Sequence, residues 1–129
     1  MSGGMQIRAA HFPGRAAIDA YGNGGFRFAE MSHRGSILCL PSGIHGWSAA
    51  DAAALREEDF ARPLAEADAI EILLVGTGRT LLSLPPALRL RLKEAGMAVE
   101  TMATGAAVRT FNVLLAEERA VAAALIAVD

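Results

Sequence analysis

The segment Gly76-Thr77-Gly78-Arg79 carries the residue types of an anion cradle. Glycines let backbone N–H groups approach a negative charge, and an arginine fork matches carboxylate or phosphate oxygens. The segment follows directly on Ile70-Glu71-Ile72-Leu73-Leu74-Val75, an apolar run that reads as a buried strand. A second segment has the same character. Thr104-Gly105 comes just after Ala98-Val99-Glu100-Thr101-Met102, the next predicted strand, and opens a helix. Helix N-termini favour anions, and Thr104 is the predicted cap. In open α/β sheets ligands bind outside the carboxyl ends of strands. A strand, crossover, strand order therefore brings Gly76, Thr77, Gly78, Arg79, Thr104 and Gly105 to one rim as weak ligand-binding candidates. The competing reading is structural: a tight turn that needs positive φ, and a plain helix cap. The lone GxG lacks the third glycine and distant acid of a dinucleotide site, so no cofactor is implied.

Other chemistry-bearing residues read more plainly. His11, His33 and His45 have no HxH, HExxH or carboxylate spacing, so no metal site is predicted. Cys39 lies among Ile37, Leu38 and Leu40 and reads as a small buried hydrophobe. Ser36 and Ser42 have no nucleophile-elbow context. Glu57-Glu58-Asp59 suits a solvated helix start. Arg109 and Asn112, three apart, share a helix face and are candidates for a partner surface; the competing role is to bond a neighbouring loop. Trp47, Phe26 and Phe28 form either an exposed aromatic patch or, as such residues more often do, core. No catalytic constellation emerges.

Positioning these residues requires a set of elements. Tyr21-Gly22-Asn23-Gly24-Gly25 predicts a hairpin between Ile18–Tyr21 and Gly25–Ala29, with Phe26 and Phe28 on one face and Arg27 on the other. Gly35 to Leu40 is a short apolar strand ended by Pro41, and Gly43 to Trp47 is another strand fragment. A short helix is predicted around Glu57–Glu66, interrupted or restarted near Pro63. Leu81 to Leu84 is a loop. Pro85-Pro86 opens a helix to Ala95 with Leu88, Leu92 and Ala95 at helical spacing, and Gly96 stops it. The helix after Thr104 buries Val108, Phe111, Leu114 and Leu115. Ala120 to Val128 is ambiguous: alanine favours helix, whereas a short wholly apolar run favours a covered strand. Mostly strands come first, then strand, helix, strand, helix: an α/β or α+β fold with one sheet layered by helices.

Bulk properties narrow the function classes. The 129 residues suit one domain, taken as 6–129 after a flexible 1–5. With 53% hydrophobic residues there is material for a real core. A formal charge of −2 and a pI of about 5.9 give no positive field for nucleic acid. No apolar run is long enough to span a bilayer, and the start lacks the cationic and apolar regions of a signal peptide. A single cysteine allows no internal disulfide and suits a reducing, cytoplasmic compartment.

Several segments together resemble a known family. They are Tyr21-Gly22-Asn23-Gly24-Gly25-Phe26, Gly35-Ser36-Ile37-Leu38, Trp47, Leu74-Val75-Gly76-Thr77-Gly78, Met102-Ala103-Thr104, Arg109-Thr110-Phe111-Asn112-Val113-Leu114 and Glu118 to Ile126. In this order and spacing they resemble a small family first catalogued as a domain of unknown function. That family includes archaeal and bacterial single-domain proteins and a mitochondrial assembly factor for respiratory complex I. The resemblance spans nearly all of residues 6–127. It implies a three-layer α/β fold with a mixed central sheet, a few flanking helices and an added β layer, and it implies that Ala120–Val128 is a strand. It supplies no catalytic residues. Relatives often carry a cysteine where this chain has Ala107 or Val108, so thiol chemistry is not implied here. The function implied is that of a non-enzymatic interaction protein with a protein partner, a membrane-complex subunit or an assembly factor; homo-oligomers are compatible. The alternative is a small-anion or small-molecule binding protein, an enzyme included, with its site at Gly76–Arg79.

Overall fold

The computed structural model describes residues 6–7 and 11–129. The expected flexible start at 1–5 lies outside the described residues. Among the described residues ten strands form two sheets. They are β1 (Gln6–Ile7), β2 (His11–Phe12), β3 (Ala20–Gly22), β4 (Gly25–Phe28), β5 (Met31–Arg34), β6 (Ser36–Leu40), β7 (Gly43–Trp47), β8 (Ile72–Gly76), β9 (Ala98–Met102) and β10 (Val121–Leu125). Helices are α1 (Ala61–Ala65), α2 (Pro86–Glu94) and α3 (Thr104–Ala116), with short 3-10 turns preceding and following α1.

The central sheet has the order β2-β7-β6-β10-β8-β9. It is mixed: β8 lies parallel to both β9 and β10, while β6 runs antiparallel to β10 and to β7. The smaller sheet has the order β1-β5-β4-β3. The three-layer α/β architecture implied by the resemblance is present. The ambiguous alanine run is a strand, and it sits mid-sheet.

The hairpin forms as its turn chemistry requires. Asn23 and Gly24 adopt φ values of 51° and 78° between β3 and β4, the positive-φ pair that a two-residue turn needs. Phe26 and Phe28 are buried and Arg27 is exposed, as alternation predicts. Strand β5 was not legible: Met31-Ser32-His33-Arg34 has too little apolar content, and only its pairing with β4 makes it a strand.

Two hydrophobic cores flank the central sheet. One gathers Leu88 and Leu92 of α2 with Trp47, Leu55 and Phe60. Trp47 meets Phe60 edge-on at 5.5 Å between ring centroids and donates its indole N–H to the Asp59 carbonyl at 2.8 Å. The other core gathers Phe26, Phe28 and Met31 of the small sheet with Ala107, Val108 and Phe111 of α3. The aromatics are therefore core, divided between opposite sides of the sheet. Leu114 and Leu115 are only half-buried, packed against the margin of this core.

Phe28 is fully buried between the layers. Phe28→Ala should cost about 3–5 kcal/mol, with Leu90→Ala, at an exposed position of α2, within about 0.5 kcal/mol of wild type. Urea denaturation followed by circular dichroism measures both.

Candidate functional site

The two glycine-bearing connections do meet at one rim. The Thr104 N–H donates to the Gly78 carbonyl at 2.8 Å, and the Gly78 N–H donates to Thr104 Oγ1 at 2.9 Å. The Thr104 hydroxyl donates in turn to the Ile126 carbonyl at 2.7 Å, just past β10. The Ile126 N–H donates to the Gly76 carbonyl at 2.9 Å. Thr77 mirrors this. Its N–H donates to the Met102 carbonyl at 2.9 Å, and its hydroxyl donates to the Thr80 carbonyl at 2.7 Å while accepting from the Leu82 N–H at 3.0 Å.

One expectation is corrected here. Thr104 does not cap α3: the capping position is Ala103, and Thr104 begins the helix with no side-chain cap bond. Its hydroxyl is drawn instead to the buried Ile126 carbonyl past β10 and to the part-buried Gly78 N–H of the β8 loop.

Close approach explains the glycines. A Cβ on Gly76 would lie 3.0 Å from the Thr104 Cα and the Leu125 Cδ2. A Cβ on Gly105 would run into the hydroxyl and ring of Tyr21, so the hairpin tip rests on the first turn of α3. The Gly24 N–H also donates to the Val128 carbonyl at 2.8 Å, which ties the hairpin turn to the end of the chain beyond β10. Gly78 takes φ 105° in open space. Arg79 is exposed.

The two candidates on α3 part company. Asn112 faces inward. Its Oδ1 accepts from the Ile18 N–H and its Nδ2 donates to the Ile18 carbonyl, both at 2.9 Å, so it bonds the chain leading into β3. Arg109 is exposed, with Val113 one turn later on the same face.

A polar cluster invisible to sequence spacing joins the β6–β7 turn and β7 to the residue that follows α1. Glu66 accepts from the Ser42 N–H at 2.9 Å and from its hydroxyl at 2.6 Å, and His45 Nε2 lies 2.9 Å from that hydroxyl. Since the hydroxyl proton is directed at the carboxylate, the imidazole is the donor to serine. That is the reverse of an activated nucleophile, where the ring must accept the serine proton. His11 faces His45 at 5.6 Å between ring centroids. Burial lowers the His45 pKa below its ordinary 6.5; Arg62 and His11 act in the same direction, against Glu66. The separation of 24 positions between Ser42 and Glu66 hid the cluster; only the fold closes that gap. Cys39 is buried, and burial pushes its thiol far above the reactive range.

Comparison with known proteins identifies relatives of this chain. Residues 18–126 match the model of a family described as protein of unknown function (DUF498/DUF598). The chain is 38% identical over 122 residues to an uncharacterised protein of Rhodobacter capsulatus, covering 95% of this chain and 93% of that one. It is 33% identical over 122 residues to the mouse NADH dehydrogenase (ubiquinone) 1 alpha subcomplex assembly factor 3, covering 95% of this chain and 66% of the mouse protein. A crystal structure described as an outer membrane protein from Bartonella henselae superposes with a TM-score of 0.89 at 64% identity, covering 92% of this chain and 100% of that one.

Removing the Thr104 hydroxyl tests the clasp. Thr104→Val leaves the Gly78 N–H and the Ile126 carbonyl without their partner and should cost about 1–3 kcal/mol in urea denaturation, with most of it recovered in Thr104→Ser. His45 makes a pH prediction. With its folded pKa below 6.5, the unfolded chain takes up the proton first as pH falls. His45 should therefore leave stability unchanged above about pH 7 and reduce it progressively below about 6.5. Relative to His45→Gln, wild type should lose unfolding free energy between pH 7 and 5; a constant difference across that range would contradict the assignment.

Proposed function

This chain belongs to the family described as protein of unknown function (DUF498/DUF598), and from that membership we propose that it is a non-enzymatic interaction protein that helps assemble a membrane-bound respiratory complex. The observation that carries the reading is the match of 95% of the chain to the mouse assembly factor. The chain spans 66% of that factor's own length, so the reading concerns the part the two share.

Two features of the structure support it. The hydroxyls at the rim are engaged in internal bonds, an arrangement suited to a rigid scaffold. Beside that rim the loop after β8 carries large apolar side chains outward: Leu81 is 61% exposed and Leu82 40%. An exposed pair of leucines next to Arg79 suits a protein partner, which would cover the apolar groups and pair the cation. Arg109 and Val113 offer a second patch of the same composition on α3. A cytoplasmic location belongs to the same proposal. Its support is the single buried free thiol, at home in a reducing compartment. Among the described residues no helix is long and apolar enough to cross a membrane.

The test is affinity capture from native membranes with tagged full-length chain. Wild type should recover subunits or assembly intermediates of the NADH:ubiquinone oxidoreductase. The double variant Leu81→Asp, Leu82→Asp should recover at least about tenfold less while keeping the wild-type unfolding midpoint, since a tenfold loss needs only about 1.4 kcal/mol at the interface. Recovery no greater than with an unrelated bait would overturn the reading.

A further inference from the structure

The small sheet has an outer face that neither core uses. Strand register places Ala20 beside Arg27 and Gly22 beside Gly25 across β3 and β4. Arg27 lies beside Ser32, and Gly25 beside Arg34, across β4 and β5. These six residues alternate onto the side opposite Phe26 and Phe28. Together with Tyr21, Asn23, Phe26 and His33 of the same strands and turn, they line a cavity of about 330 Å³. Its floor is small, being Ala20, Gly22, Gly25 and Ser32, and the two arginines rise from it.

Arg27 and Arg34 are diagonal neighbours of an antiparallel pair, about 7–8 Å apart in such sheets, a spacing within reach of long side chains. Among the described residues the ion pairs are Arg56–Glu58, Arg91–Glu57 and Arg119–Glu71, and neither Arg27 nor Arg34 joins a carboxylate. Two like charges therefore share one depression in a chain whose net charge is −2. Gly25 cannot be exchanged for a residue that would fill the cavity, because a Cβ there would collide with the His33 carbonyl of β5.

We propose that this depression is a binding site for a small phosphate-bearing molecule, held between the guanidinium groups of Arg27 and Arg34 with the Ser32 hydroxyl as a third donor. Donor count selects the class. One carboxylate has two oxygens and satisfies a single arginine fork. A phosphate offers at least three, enough for both forks and the hydroxyl, and its higher charge offsets the repulsion between the two cations. A volume of about 330 Å³ admits a compact phosphate ester or pyrophosphate and is at the lower end for small-molecule sites. The site stands apart from the assembly reading, since it shares no residue with the Leu81–Leu82 loop or the α3 patch.

The experiment is a two-dimensional NMR titration of labelled full-length chain at constant ionic strength, with inorganic pyrophosphate as probe and succinate as comparison. Pyrophosphate should give saturable shifts at the Ser32 and Arg34 amides and at the Arg27 and Arg34 side-chain N–H groups, with a Kd of about 1 mM or tighter. Succinate should bind at least about tenfold more weakly. Arg27→Gln and Arg34→Gln, both at exposed positions, should each weaken pyrophosphate at least about tenfold with the rest of the spectrum unchanged, and Arg89→Gln on α2 should leave the titration as in wild type. Shifts that never saturate, equal binding of succinate, or saturable binding that survives the Arg27→Gln, Arg34→Gln double variant would each overturn the proposal.

Discussion

Strand β10 is buried on both faces, and the rest of the molecule is arranged around that fact. Ala122 and Ala124 point into one core and Val121, Ala123 and Leu125 into the other. The three alanines are fully buried. Small side chains at the middle of the sheet let the layers on either side come close, so packing density is kept without large residues from three directions at once. The neighbouring strands follow the same alternation. Leu38 and Leu40 of β6 and Leu73 and Val75 of β8 serve the α2 side, while Ile37, Cys39 and Leu74 serve the side of α3 and the small sheet. One strand thus couples two cores, and a disturbance in either layer is felt through the same backbone.

The ends of β10 are secured accordingly. At its carboxyl end the Ile126 N–H and carbonyl are taken by Gly76 and Thr104. The Ala127 N–H donates to Ser36 Oγ at 2.9 Å, and Val128 accepts from the hairpin turn. Each bond links β10 to a different element: β8, α3, β6 and the small sheet. The rim that looks from sequence like an anion cradle is, in its hydroxyl groups, the place where four elements are fastened to the central strand. Its close contacts explain why glycine occupies positions 76 and 105 without invoking a bound ligand.

Legibility in the sequence tracked the range of the interaction responsible. The hairpin was legible because Asn23-Gly24 encodes its own turn. Helices α2 and α3 were legible from the proline, the glycine stop and the periodicity of Leu88 with Leu92 and of Val108 with Phe111. That the β8 and β9 connections share a rim followed from parallel pairing alone. The alanine run was not readable locally, since its intrinsic preference is helical and only burial on both faces overrides it. The family resemblance, which carries tertiary information, decided it correctly. Thr104 failed for the same reason. A threonine at a helix start is ordinarily a cap, and nothing local reveals that a carbonyl 22 residues away will claim its hydroxyl. The Ser42–His45–Glu66 cluster is likewise a product of tertiary closure.

What remains after the fastening bonds are assigned is an uneven surface. The inner face of the small sheet is needed to close a core, so Phe26, Phe28 and Met31 answer to packing. Among the described residues the outer face belongs to neither core: Ala20, Arg27 and Arg34 are exposed. The same holds for Leu81 and Leu82, which follow directly on the fastened β8 loop yet point away from it. Neither group belongs to a core, and each differs from its surroundings: two cations side by side in one case, adjacent exposed leucines in the other. A rigid interior with such surfaces displayed on it is the physical form expected of a protein whose work is recognition, because binding then requires little ordering of the scaffold.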